Sequence, residues 1–72
     1  MKIYIVCQQK YEEDGKTKQG AVRYLTIDNG WSELIEYAAI FTKHHGEYIA
    51  EKHQKSFRDY CAAFFVQEIK NV

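Results

Sequence analysis

The sequence predicts a small α+β domain of order ββαα, a β-hairpin followed by two helices of which the second is long. Three observations predict it. Residues 2–9 alternate well between two faces, an Asp-Gly turn signal follows, and apolar residues recur at spacings of three and four over the second half. The alternative is ββαβ, in which a C-terminal strand replaces the second helix. At 72 residues, the chain is about half the commonest domain size, so 1–72 reads as one domain.

Residues 2–9 form the first strand. Ile3, Ile5 and Cys7 point one way, while Tyr4 and Val6 point the other, and β-branched and aromatic side chains suit a pleated surface. Asp14-Gly15 predicts a two-residue type I′ turn. A second strand follows at 20–28. That turn pairs Glu13 with Lys16, which sets Cys7 against Val22, Ile5 against Tyr24, Tyr4 against Leu25 and Lys2 against Ile27. Residues 12–18 are polar and project into solvent.

Asp28-Asn29-Gly30 ends the second strand. The first helix is expected from Trp31-Ser32, with Ser32 as N-cap and Glu33 in the first turn. Leu34, Tyr37, Ala38 and Phe41 make its stripe, and Ile35, Ala39 and Thr42 widen it. Lys43, His44 and His45 suit the last turn, and Gly46 suits the residue after it. The second helix is expected over 47–70, with a break near Ser56. Ile49, His53, Phe57, Tyr60, Cys61, Phe64, Glu68 and Val72 fall at spacings of three and four, and Ser56-Phe57-Arg58-Asp59 matches a capping box. The apolar run Phe64-Phe65-Val66 equally suits a strand over 63–69.

Ten basic residues balance ten acidic ones. A DNA mimic would be strongly acidic, and an electrostatic nucleic-acid binder strongly basic. Hydrophobic residues make up 46% and aromatics 15%, too apolar for intrinsic disorder. The apolar run that opens the chain stops at Cys7, too short for a secretory or membrane-spanning segment, so the expected location is the cytoplasm of the producing or a host cell. Cys7 and Cys61 are expected to be reduced thiols that pack as small hydrophobes.

Catalytic chemistry would need Cys7 or Cys61 near one of His44, His45 and His53 and an acid such as Asp59 or Glu51, and no local signature links them. Metal ligands could come from the three histidines with Glu47 or Cys61. His44 and His45 diverge on a helix, and His53 and Cys61 are eight residues apart, too far to share an ion. The single glycines form no phosphate loop. No catalytic, metal or cofactor site is therefore assigned, and no cofactor is expected.

Two interaction surfaces remain. Tyr and Trp are favoured at interfaces because they offer large, stiff, amphipathic area. Phe41, Phe57, Phe64 and Tyr24 are assigned to the core, and Tyr4, Tyr11, Trp31 and Tyr48 to contact surface. If the helices cover one hairpin face, Tyr4, Val6, Leu25 and Ile27 on the other need a partner, either a second copy in a homodimer or a target protein. The expected partner-binding set is thus Tyr4, Val6, Tyr11, Leu25, Ile27, Trp31 and Tyr48. The leading expectation is a non-enzymatic protein-binding module, an inhibitor or adaptor acting by steric occlusion. A phage or mobile-element anti-defence protein, such as an anti-CRISPR, is one concrete version. The alternative is a nucleic-acid-binding regulator using Lys43, Lys52, Lys55 and Arg58 with Tyr48 and Phe57 interleaved.

Overall fold

A computed structural model of the chain describes residues 2–56 and 62–70. Among the described residues, strand β1 spans Lys2–Lys10, β2 Arg23–Leu25, β3 Trp31–Ser32 and β4 Ala62–Lys70, and one α-helix, α1, spans Lys43–Ser56. The four strands form one sheet in the order β3-β2-β1-β4. β1 is central and pairs antiparallel with β4 along its whole length, from Lys2↔Lys70 to Lys10↔Ala62.

The expected ββαα order is corrected at both helices. The first helix is absent from 31–42. Trp31-Ser32 pairs with Tyr24 and Leu25 as β3, and Ile35–Tyr37 makes only one 3₁₀ turn. Ser32 caps no helix; its Oγ accepts the Leu34 N–H at 3.1 Å in a local turn. The reason lies in the preceding residues. Asp28-Asn29-Gly30 is a hairpin turn: Asn29 N–H donates to the Thr26 carbonyl, Thr26 N–H to the Gly30 carbonyl, and Asn29 takes φ 65°. That is a type I turn closed by one left-handed residue, and it sends the chain back as a strand.

The second helix is the C-terminal strand of the alternative order, preceded by a shorter helix. Lys43, His44 and His45 open α1 instead of closing a helix. Thr42 is its N-cap, its Oγ1 accepting the His45 N–H at 3.2 Å and its carbonyl the Gly46 N–H at 2.9 Å. Gly46 and Ala50 are the buried helix residues, small enough to bring α1 down onto the sheet. The Ser56–Asp59 capping box falls largely outside the described residues, as do Phe57, Arg58, Tyr60 and Cys61.

The hairpin register holds only at its tip. Tyr11↔Lys18 keeps the expected pairing, but Cys7 meets Tyr24, not Val22, a slip of two residues along the second strand. Gln9 bridges the gap: its buried amide donates to the carbonyls of Lys10 (2.9 Å) and Gly20 (3.2 Å). The turn itself is not type I′. Glu12 N–H bonds the Thr17 carbonyl, and positive φ is found at Gly15 but not at Asp14. The Asp14 carboxylate instead accepts from the N–H groups of Lys16 and Thr17 and the Thr17 hydroxyl.

A two-residue slip preserves side-chain direction, so the two faces are as expected but covered the other way round. α1 packs on the face of Val6, Leu25 and Phe64, and these with Ala50 form the core, flanked by Trp31, Phe41, Ile49, Ala62 and Val66. Val6 is 0% and Leu25 3% exposed, so neither is available to a partner. On the opposite face Ile5 and Cys7 are also buried, Cys7 between its cross-strand partners Tyr24 and Phe65.

Candidate interaction surface

The segment 38–41 builds the most distinctive surface. It runs extended where β1 and β2 part, exchanging backbone hydrogen bonds between Phe41 and Tyr4 (3.1 and 2.8 Å) and donating from Ala39 N–H to the Leu25 carbonyl (2.8 Å). With those backbone groups satisfied, Ile40 is left pointing outward. Between this segment, the 26–29 turn and one flank of α1 lies an open groove of about 910 Å³. Leu25, Ala39, Phe41 and Ile49 line its depth, and Ile27, Ile40 and Tyr48 its rim. Those three rim residues are 91%, 65% and 62% exposed. Lys52 and His45 line the same groove, so its apolar rim has a basic side.

Of the expected contact residues, Leu25, Ile27 and Tyr48 line this groove, Leu25 buried at its floor and Ile27 and Tyr48 exposed at its rim. Trp31 is half-buried and packs against His53, edge to face at 5.4 Å, and against Phe64 at 5.7 Å, which ties β3 to the helix. Tyr11 is half-buried in the hairpin, and Tyr4 is half-buried with its hydroxyl donating to Glu68 at 3.2 Å. Leu34, Ile35 and Tyr37, assigned above to a buried helical stripe, are exposed, as is Ile40. The turn signal at 28–30 and the β-branched and aromatic residues after it were the clues to a non-helical, surface-building segment.

No family model, curated protein or solved structure matches this chain.

The other candidate constellations do not assemble. Cys7 is a free thiol that donates to the Gln67 amide oxygen at 3.7 Å, and burial pushes its pKa up to about 11. A reactive cysteine needs the reverse, an exposed and stabilised thiolate. Among the described residues, no three metal-ligating side chains converge. The basic residues of 43–58 are dispersed. Lys43 lines a cleft between α1 and β4 together with Glu47 and Glu51, Lys52 lines the groove on the other flank, and Lys55 is paired with Glu51 at 3.1 Å. Arg58 lies outside the described residues. Among the described residues, no helix is long and apolar enough to cross a membrane.

Proposed function

We propose that the protein is a non-enzymatic protein-binding module that acts by occlusion, with the groove rimmed by Ile27, Ile40 and Tyr48 as its contact surface. One observation carries the reading: large apolar side chains that a domain this small could use in its core are held outward around one depression. Such a depression suits an apolar ridge on a partner, with Tyr48 as a stiff anchor at the edge. Lys52 and His45 favour a partner whose ridge is flanked by acidic residues. An inhibitor carried by a phage or mobile element, such as a blocker of a CRISPR effector, is one instance of such a module.

The test is site-specific photo-cross-linking in the native host. A benzophenone side chain at Ile40 should capture one discrete protein, while the same group at Glu13, on the far hairpin tip, should not. The double variant Ile27→Asp/Ile40→Asp should fold, since both residues are exposed, and should lose the captured species. Capture that is equal from both positions, or unchanged in the double variant with the probe moved to Tyr48, refutes the groove as the contact surface.

A further inference from the structure

The opposite flank of the molecule ends in β4, a nine-residue edge strand. Unprotected edges of this length are templates for pairing. Part of this one is already filled. Phe64 N–H donates to Gln54 Oε1 at 2.8 Å, and Gln54 Nε2 donates to the Ala62 carbonyl at 3.0 Å. The Gln54 amide thus occupies the position that one residue of a neighbouring strand would take.

Those two bonds also fix which backbone groups face outward. Direction alternates along a strand, so the N–H and C=O groups of Val66 and Glu68 face away from β1, as those of Phe64 and Ala62 do. Among the described residues, none bonds the outward groups of Val66 or Glu68. The open stretch is therefore centred on Gln67.

We propose that the protein forms a two-fold dimer through this edge, with Gln67 on the axis and β4 antiparallel to its copy. Val66 then exchanges both backbone hydrogen bonds with Glu68 of the second copy, and Glu68 with Val66, so all four open groups of each copy are satisfied. Other centres do worse. An axis at Val66 sets Glu68 against Phe64, whose N–H Gln54 already holds. An axis at Glu68 sets two carboxylates directly opposite each other, which is destabilising. With Gln67 central, each Glu68 faces an apolar Val66 and keeps its own partners, Lys2 at 3.7 Å and the Tyr4 hydroxyl at 3.2 Å. On the face away from α1, Phe65, 39% exposed, meets Ile69 of the other copy, a favourable aromatic–β-branched pair. A second copy is thus the occupant that this edge fits.

The experiment is sedimentation equilibrium of the full chain with a disulfide-trapping series. The wild type should shift from monomer to dimer with a Kd on the order of 10⁻⁵ M, as suits a small interface. Gln67→Lys, at an exposed position, places like charges across the axis and should weaken dimerisation at least tenfold while leaving the circular dichroism spectrum unchanged. Glu68→Pro removes an outward N–H without touching the β1 ladder and should act in the same direction. Gln67→Cys should form an intermolecular disulfide under mild oxidation faster than Glu68→Cys, because residues facing each other on the axis bring their Cα atoms to about 4.5 Å. A monomer at all concentrations up to roughly 0.5 mM overturns the proposal. So does a dimer unaffected by Gln67→Lys. A dimer lost in Ile27→Asp/Ile40→Asp instead would assign self-association to the groove. Groove binding to a different protein stands or falls separately, by the Ile40 cross-link.

Discussion

Replacing Gly46 by alanine should stabilise the protein, although Gly46 is buried and faces Val66 of the sheet. Gly46 lies in the first turn of α1, and its N–H makes the hydrogen bond to Thr42 that starts the helix. It does not have positive φ. A methyl group there would meet the two Val66 γ-carbons at 3.5 Å and the Phe41 Cβ at 3.6 Å, which is ordinary van der Waals contact. The backbone term favours alanine by about 0.5–1 kcal/mol, because glycine loses more freedom on entering a helix. Burial of the methyl group adds a fraction of the roughly 0.8 kcal/mol typical of one buried carbon. The sum is about 1 kcal/mol, or a rise of roughly 4–8 °C in Tm for a domain of this size. Gly20→Ala is the natural comparison. No atom lies within 4 Å of its added carbon, but φ is +76°, so backbone strain alone should destabilise it by about 1 kcal/mol. Thermal and urea unfolding of the three proteins, followed by circular dichroism, reads both signs. If Gly46→Ala melts lower than wild type, either the helix does not run through residue 46 or it packs closer to Val66 than described, and the reasoning fails.

Leu25→Ala should cost about 2–5 kcal/mol, enough to unfold much of a domain this small, seen as collapsed dispersion in a proton–nitrogen correlation spectrum. Cys7 should resist alkylation in the native protein at pH 8 and react once urea unfolds it, with the modified site mapped by mass spectrometry. Burial, and then the charge of Lys52, lowers the His53 pKa below 6.5. The unfolded chain therefore binds that proton more readily, and Tm should fall as pH drops through about 6.5. The Thr17 hydroxyl, then the Thr17 and Lys16 N–H groups, hold the Asp14 pKa near 2, down from 3.8. Its contribution is present above about pH 4 and lost on acidification toward 2, which a carboxyl-carbon NMR titration should show as a midpoint near 2. With balanced charge and dispersed lysines, nucleic-acid affinity at physiological salt should be no tighter than about 10⁻⁵ M by filter binding.

The parts of the fold legible in the sequence were those set by local pattern. Ile3, Ile5 and Cys7 alternating with Tyr4 and Val6 mark β1, and the slip of two residues beside Gln9 did not change which side chains share a face. The tip pairing of Tyr11 with Lys18 followed from the turn position, although the turn type did not. The segment 31–42 misleads because Leu34, Tyr37, Ala38 and Phe41 have helical spacing for a different reason: Leu34 and Tyr37 are exposed, Ala38 and Phe41 are only half-buried, and Ala39 and Phe41 are bonded to strands distant in sequence. Similarly, Phe64-Phe65-Val66 reads as helix or strand with equal ease, and pairing with β1 decides it. Of the surface, Ile27 and Tyr48 were visible as candidates, whereas Ile40 is exposed only because Phe41 and Ala39 are tied to Tyr4 and Leu25 on either side. Val6 and Leu25 could not be placed until it was known which face α1 covers.

The nine-residue ladder between β1 and β4 has a consequence for how the molecule comes into being. Its rungs join residues as far apart in sequence as Lys2 and Lys70, so the loop closed by the longest rung is nearly the whole chain. Closing it carries a large entropy penalty before any contact rewards it, which places folding in the millisecond-to-second range typical of non-local topologies. During synthesis the central strand is made before β4, the neighbour it pairs with along its whole length. At roughly 5–20 residues per second, β1 waits several seconds with one side unpaired. A nascent chain stalled before residue 62 would hold a sheet whose central strand is still an edge, and that truncated species is where aggregation or chaperone capture should concentrate.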